Sequence, residues 1–103
     1  MIILSLSKIH TMNHVYGRGD VPKDLEQKEY EATVDLENFF GKTPVSVDVE
    51  VSVRFKDNGD PYDAWVTSVK FLDHDVTKLV LSGWEEYELI NGVMGNGFVD
   101  SLP

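Results

Sequence analysis

The run VSVDVEVSVRF (Val45–Phe55), the segment KDNGDP (Lys56–Pro61) and the run AWVTSVKFL (Ala64–Leu72) read together as a β-hairpin. In the first run Val45, Val47, Val49, Val51, Val53 and Phe55 occupy every second position. Successive strand side chains point to opposite faces, so these six share one apolar face. Ser46, Asp48, Glu50, Ser52, Arg54 and Lys56 take the other. Valine is β-branched, which disfavours a helix and suits a pleated surface. Asn58-Gly59 tolerates positive φ and Pro61 lacks a ladder donor, so the chain reverses between Asp57 and Asp63. On strict alternation the return strand sets Trp65, Thr67, Val69 and Phe71 inward and Val66, Ser68, Lys70 and Leu72 outward. With Phe55 opposite Trp65, Glu50 falls opposite Lys70, a favourable cross-strand pair.

Upstream, Tyr30, Ala32, Val34 and Leu36 alternate with Glu29, Glu31, Thr33, Asp35 and Glu37, which predicts a second strand. The charged stretch from Asp24 to Glu31 is compatible with a helical turn before it. Asn38 to Pro44 reads as a short connection carrying Phe39 and Phe40, whose rings either cap the core or form an exposed contact patch. So short a link makes the two strands antiparallel neighbours. Pairing Leu36 with Val45 sets Glu31 opposite Glu50, near Glu29, Asp35 and Asp48. A slip of two residues sets Asp35 opposite Asp48 instead. Either register makes one face dense in carboxylates, and like charges directly opposite are destabilising.

Residues 1–23 support two readings, since Ile2, Leu4 and Leu6 alternate while Leu6, Ile9, Met12 and Tyr16 recur at helical spacing. A strand at Ile2 to Leu6 is the preferred one, with Gly17 to Pro22 as a loop. Downstream, Asp75 is placed to cap a short turn from Val76 to Leu79. Ser82-Gly83-Trp84-Glu85 reads as a capping box that starts a helix at about Trp84. Trp84, Tyr87, Ile90 and Met94 would form its apolar stripe and Glu85, Glu86 and Glu88 its wet side. The glycines from Gly92 to Gly97 end it, and the tail from Phe98 to Pro103 either docks an apolar side chain or frays. The predicted architecture is a single α+β domain over residues 1–103. It consists of an antiparallel sheet of three to four strands, built from hairpins and packed by one C-terminal helix.

The chain has 103 residues and no cysteine, which excludes disulfides, thiolate metal sites and cysteine nucleophiles and fits a reducing cytoplasm. The opening apolar run Met1–Leu4 is too short for a membrane span and lacks the basic residues of a signal peptide. Eighteen acidic residues against nine basic give a formal charge of −9, which disfavours direct contact with nucleic-acid phosphates. No nucleophile elbow, phosphate loop, dinucleotide fingerprint or zinc spacing occurs, and no cofactor is expected. His10 and His14 stand at helical metal-ligand spacing without a third ligand. Arg18-Gly19-Asp20 is an integrin tripeptide with no export signal to display it. Asp57, Asp60 and Asp63 crowd one loop, but from Asp57 the third and fifth calcium-loop positions are Gly59 and Pro61, so turn chemistry explains them. Nothing gathers the histidines and carboxylates for acid–base work, and so small a domain is expected to offer little pocket. No catalytic residue is assigned and a non-enzymatic role is expected.

The segment Val69-Lys-Phe-Leu-Asp-His-Asp-Val-Thr-Lys-Leu79, after a valine-rich strand and before a short acidic helix, resembles small acidic proteins of tailed bacteriophages over about Tyr30 to Val93. That resemblance implies a phage origin, a small size and a location in the host cytoplasm, and it carries no catalytic residues. Together with the carboxylate face it leads to an expected partner-binding set of Glu29, Glu31, Asp35, Glu37, Asp48 and Glu50 with Phe39 and Phe40. The expected partner is a host defence or nucleic-acid-handling protein, inhibited by mimicry of a nucleic-acid backbone. The competing expectation is a virion assembly component making homo-oligomeric contacts through Phe39, Phe40 and the sheet edge.

Overall fold

The computed structural model describes residues 15–17, 25–40 and 43–103, with residues 38–40 and 43 described by backbone alone. The expected strand at Ile2–Leu6, the His10/His14 pair and the Arg18-Gly19-Asp20 tripeptide lie outside the described residues. The chain forms an α+β domain. Its strands are β1 (Tyr16–Gly17), β2 (Glu26–Phe40), β3 (Thr43–Phe55), β4 (Pro61–Phe71) and β5 (His74–Asp75), followed by helices α1 (Thr77–Gly83) and α2 (Glu86–Met94). A 3₁₀ turn spans Val99–Ser101. Among the described residues the strands make one antiparallel sheet in the order β1-β4-β3-β2, with β5 also pairing β4.

The valine strand is central and its alternation holds. Val47, Val49, Val51 and Val53 are all buried on the inner face, under α2, which packs across β2, β3 and β4. Of the two β2–β3 registers the sequence allowed, the one formed sets Leu36 opposite Val45 and Glu31 opposite Glu50, and Asp35 faces Ser46 instead of Asp48. Two features of this hairpin differ. β2 is extended from Glu26, so the charged stretch is strand from Glu26 to Glu31, where a helical turn was expected to begin it. The predicted Asn38–Pro44 connection is largely strand as well, since β2 runs to Phe40 and β3 begins at Thr43, with a register shift after Leu36. Cross-strand pairing with β3 satisfies backbone groups that a loop would leave to water.

The return strand departs from strict alternation. Glu50 pairs Ser68 and Val51 pairs Val66, leaving Thr67 as an extra residue, a β-bulge. One inserted residue reverses which face every later side chain takes. Ala64 and Val66 therefore point inward before the bulge and Val69 after it, all fully buried. Trp65 lies across from Ser52 on the opposite face, and Lys70 opposes Asp48 instead of Glu50. A second shift at Arg54/Phe55 sets Phe55 against Pro61. The turn between them is held by Lys56 and Gly59 backbone bonds to Asp60 and Lys56 carbonyls, with Asn58 Oδ1 accepting from the Asp60 N–H.

Two helices follow the sheet, where one was expected. Ser82 does not cap the second; it lies in the last turn of α1, where its hydroxyl donates to the Leu79 carbonyl. α2 starts at Glu86, and Leu89 and Ile90 supply its buried side chains while Tyr87 is exposed. Glu86, expected in water, is 6% exposed. Its Oε2 accepts the Val66 backbone N–H at 2.8 Å. Thr77 Oγ1 accepts the Val69 N–H at 2.8 Å, and the Val69 carbonyl accepts from Val76. Tyr16 and Gly17 pair Ala64 and Asp63, and His74 and Asp75 pair Phe71 and Lys70. The outward edge of β4 is thereby closed along its length by a strand, a glutamate, a threonine and a second strand. The tail docks through Phe98, Val99 and Leu102.

Leu72 and Asp73 link β4 to β5 with φ of 49° and 68°, the left-handed pair that normally calls for Asn or Gly. Leu72 is 75% exposed. Leu72→Asn is expected to raise stability by about 0.5–1 kcal/mol, because asparagine tolerates this conformation and leucine pays a Cβ clash; an unchanged urea midpoint would count against that strain. Glu86→Ala is expected to lower stability by roughly 1.5–3 kcal/mol, the magnitude of a buried bond to a charged acceptor. A loss under about 0.5 kcal/mol in urea unfolding would mean water replaces the carboxylate at the Val66 amide.

Candidate functional site

The sheet face away from α2 carries the expected acidic set. Glu29, Glu31, Thr33 and Asp35 from β2 and Ser46 and Asp48 from β3 are exposed, and Glu50 is half-buried. The cross-strand pairs explain how so many carboxylates share one surface. Asp35 faces Ser46, Thr33 faces Asp48 and Glu29 faces Ser52. Each hydroxyl donates to its partner: Ser46 to Asp35 at 2.6 Å, Thr33 to Asp48 at 3.0 Å and Ser52 to Glu29 at 2.8 Å. A hydroxyl opposite a carboxylate converts what would be repulsion into a hydrogen bond to the charged form. Glu31 opposite Glu50 is the like-charge pair that remains, and Glu50 Oε1 is approached by the Thr67 and Ser68 hydroxyls at 3.2 and 3.4 Å.

Bonds from Gln27 first and Ser52 second hold the Glu29 carboxyl below the usual carboxylate range. Asp75, accepting from the Thr77 hydroxyl and backbone, is lowered in the same way. Both shifts favour the charged form in the folded state. Their contribution to stability is therefore complete above the ordinary carboxylate range and is lost as pH falls through and below it. Tyr16 is raised, chiefly by burial and then by the Glu86 charge, so it favours the neutral phenol and its contribution fades only at strongly alkaline pH.

One end of the same face is not acidic in effect. Arg54 forms a two-pronged pair with Asp63, Nε to Oδ1 at 2.7 Å and Nη2 to Oδ2, and stacks over Trp65 at 4.6 Å. Asp63 is fully buried and Ser52, under the same cluster, nearly so. Gly17 permits this, since a Cβ there would meet the Tyr62 carbonyl oxygen at 2.4 Å and its φ is +106°. Asp63 thus belongs to Arg54 and leaves the loop of aspartates, and among the described residues no group of three carboxylates or histidines is placed to hold a metal ion.

Glu37 is separated from the others. It lines an open concavity of about 650 Å³ with Leu81, Ser82, Gly83, Trp84, Glu85, Glu86 and Glu88, at the junction of α1 and α2. The sequence led to the expectation of little pocket, because it does not show that the junction of two helices lies beside Glu37 of β2. The concavity gathers four carboxylates, the Trp84 indole and the Ser82 hydroxyl, which donates to the Leu79 carbonyl. The side chains of Phe39 and Phe40 lie outside the described residues. Sequence reasoning missed Ser46, Ser52 and Thr33 as the residues that make the acidic face tolerable; their alternation with the carboxylates was visible, but their pairing depends on register.

No protein-family model, no curated protein and no solved structure matches this chain. Among the described residues, no helix is long and apolar enough to cross a membrane.

Glu31→Gln is expected to stabilise the fold by a few tenths of a kcal/mol, up to about 1, by removing the repulsion with Glu50. The gain should shrink in molar salt, and equal urea midpoints for the two proteins at low salt would show that the pair is already relieved by the Thr67 and Ser68 hydroxyls.

Proposed function

We propose that this chain is a non-enzymatic binding protein whose acidic sheet face occupies a cationic surface of a partner protein. The observation that supports this reading most directly is the Glu31–Glu50 pair at the centre of a face that also holds Glu29, Asp35 and Asp48. Retaining a directly opposed like-charge pair costs stability, and it concentrates negative potential where a positively charged groove would find it. Rows of carboxylates lie roughly 6.6–6.8 Å apart along a strand and about 4.7–4.9 Å between strands, a charge density comparable to that of a nucleic-acid backbone. A protein that normally grips phosphates is the class of partner such a surface fits, and occupying its groove inhibits it. The resemblance to small phage proteins directs this reading to a host defence or nucleic-acid-handling factor in the infected cell.

The test is capture from bacterial lysate at low and at high salt, with the wild-type chain and with a Glu31→Lys, Asp35→Lys, Asp48→Lys variant as baits. The expected result is a nucleic-acid-handling protein held by the wild type, released by salt and absent from the variant. The variant should stay folded: it removes the Glu31–Glu50 repulsion but gives up the Ser46 and Thr33 bonds and sets a lysine opposite Lys70, so cooperative thermal unfolding separates lost binding from lost structure. A variant that captures the same protein, or a wild type that retains only itself, sinks the reading; the second result points to an assembly role.

A further inference from the structure

The two edges of the sheet are treated differently by the same chain. Every outward-facing main-chain position of β4 from Ala64 to Phe71 is met, by β1, by Glu86, by Thr77 and by β5. At the other edge β2 is the last strand in the order, and among the described residues nothing pairs with its outer side. Alternation through the ladder identifies which residues face out. Val66 and Val69 send their N–H groups away from β3, so their partners Val51 and Val49 direct theirs toward β2. Val51 pairs Tyr30 and Val49 pairs Ala32, so Tyr30, Ala32 and Val34 bond to β3. Gln27, Glu29, Glu31, Thr33 and Asp35 then present their N–H and C=O groups to the open edge. Among the described residues nothing meets these groups, and the residues that carry them are the ones whose side chains form the acidic face.

An edge of this length is a template for an added strand, and the charges decide which strand. A second copy pairing antiparallel is disfavoured: every register centred between Glu31 and Thr33 sets one carboxylate directly opposite another. We propose that the open edge of β2 takes up an extended basic segment of the partner. The added strand runs along Gln27 to Asp35, with Lys or Arg at alternate positions opposite Glu29, Glu31 and Asp35. It would lie about 4.7–4.9 Å from β2 with the same two-residue period, so main-chain bonds supply affinity and carboxylates choose the sequence. This inference rests on the acidic-face reading and adds the geometry of the contact.

The probe is a blocked peptide of about ten residues alternating lysine with valine or threonine, and its control carries the same charge with the amides facing β2 N-methylated. In the free protein, hydrogen exchange should be fast at Glu29, Glu31, Thr33 and Asp35 and slow at Tyr30, Ala32 and Val34. The unmodified peptide is expected to slow exchange at the first group and to bind about tenfold or more tightly than its control, the loss expected when several main-chain bonds are blocked. Thr33→Pro should weaken binding strongly; the amide it removes bonds to nothing in β3, and the structural cost is the lost hydroxyl bond to Asp48; if that variant unfolds, the peptide pair still decides. Equal affinity for the two peptides overturns the edge inference and leaves the acidic-face reading standing. Slow exchange at the outer amides in the free protein also overturns it. Failure of both peptides at low salt, alongside wild-type capture by the triple-lysine variant, overturns both.

Discussion

The bulge at Thr67 is the constraint on which the rest of the structure depends. Without the extra residue, β4 could direct Ala64 and Val66 into the core or Val69 and Phe71, but not both pairs, because strand side chains strictly alternate. With it, Ala64, Val66 and Val69 all join the core and all are fully buried. The same inserted residue sets the outward amides of Val66 and Val69 where Glu86 and Thr77 receive them. A local irregularity in one strand thus fixes the docking of both helices.

That docking explains the buried glutamate. Desolvating a carboxylate is costly unless hydrogen bonds replace water, and Glu86 has the Val66 amide as a donor. It also stands in the first turn of α2, where free N–H groups favour negative charge. The carboxylate therefore serves two elements, covering an edge of the sheet and marking the start of a helix. Its proximity to Tyr16 couples β1 to the same corner.

Charge on the outer face follows a different logic. A net charge of −9 on 103 residues would strain any sheet that concentrated it, and here three of the cross-strand pairs set a hydroxyl against a carboxylate. The alternation of serine and threonine with aspartate and glutamate keeps the surface acidic while leaving exposed Glu31 and half-buried Glu50 as the point of repulsion. The positive end of the face is tied up internally by Arg54 with Asp63 and Trp65. What the surface offers outward is negative charge beside a strand whose outer edge, among the described residues, has no partner.

The sequence by itself determined the central strand, its valine face, the antiparallel pairing of β2 with β3 and the acidic character of the opposite face. Each follows from local alternation and from a hairpin link too short to allow another partner. It also indicated that a helix would end in the glycines, and α2 does so at Gly95. It did not determine which face Trp65 and Val66 take, where α2 begins, or that Glu86 is buried. Nor did it show that Glu37 parts from the other carboxylates to line the helix junction. Those were decided by tertiary structure, because a bulge is invisible to period-two patterning and a capping pattern such as Ser82 to Glu85 yields when packing sets the helix ends elsewhere. A glutamate in a helical first turn reads as solvated until a neighbouring strand presents an amide that nothing else can bond.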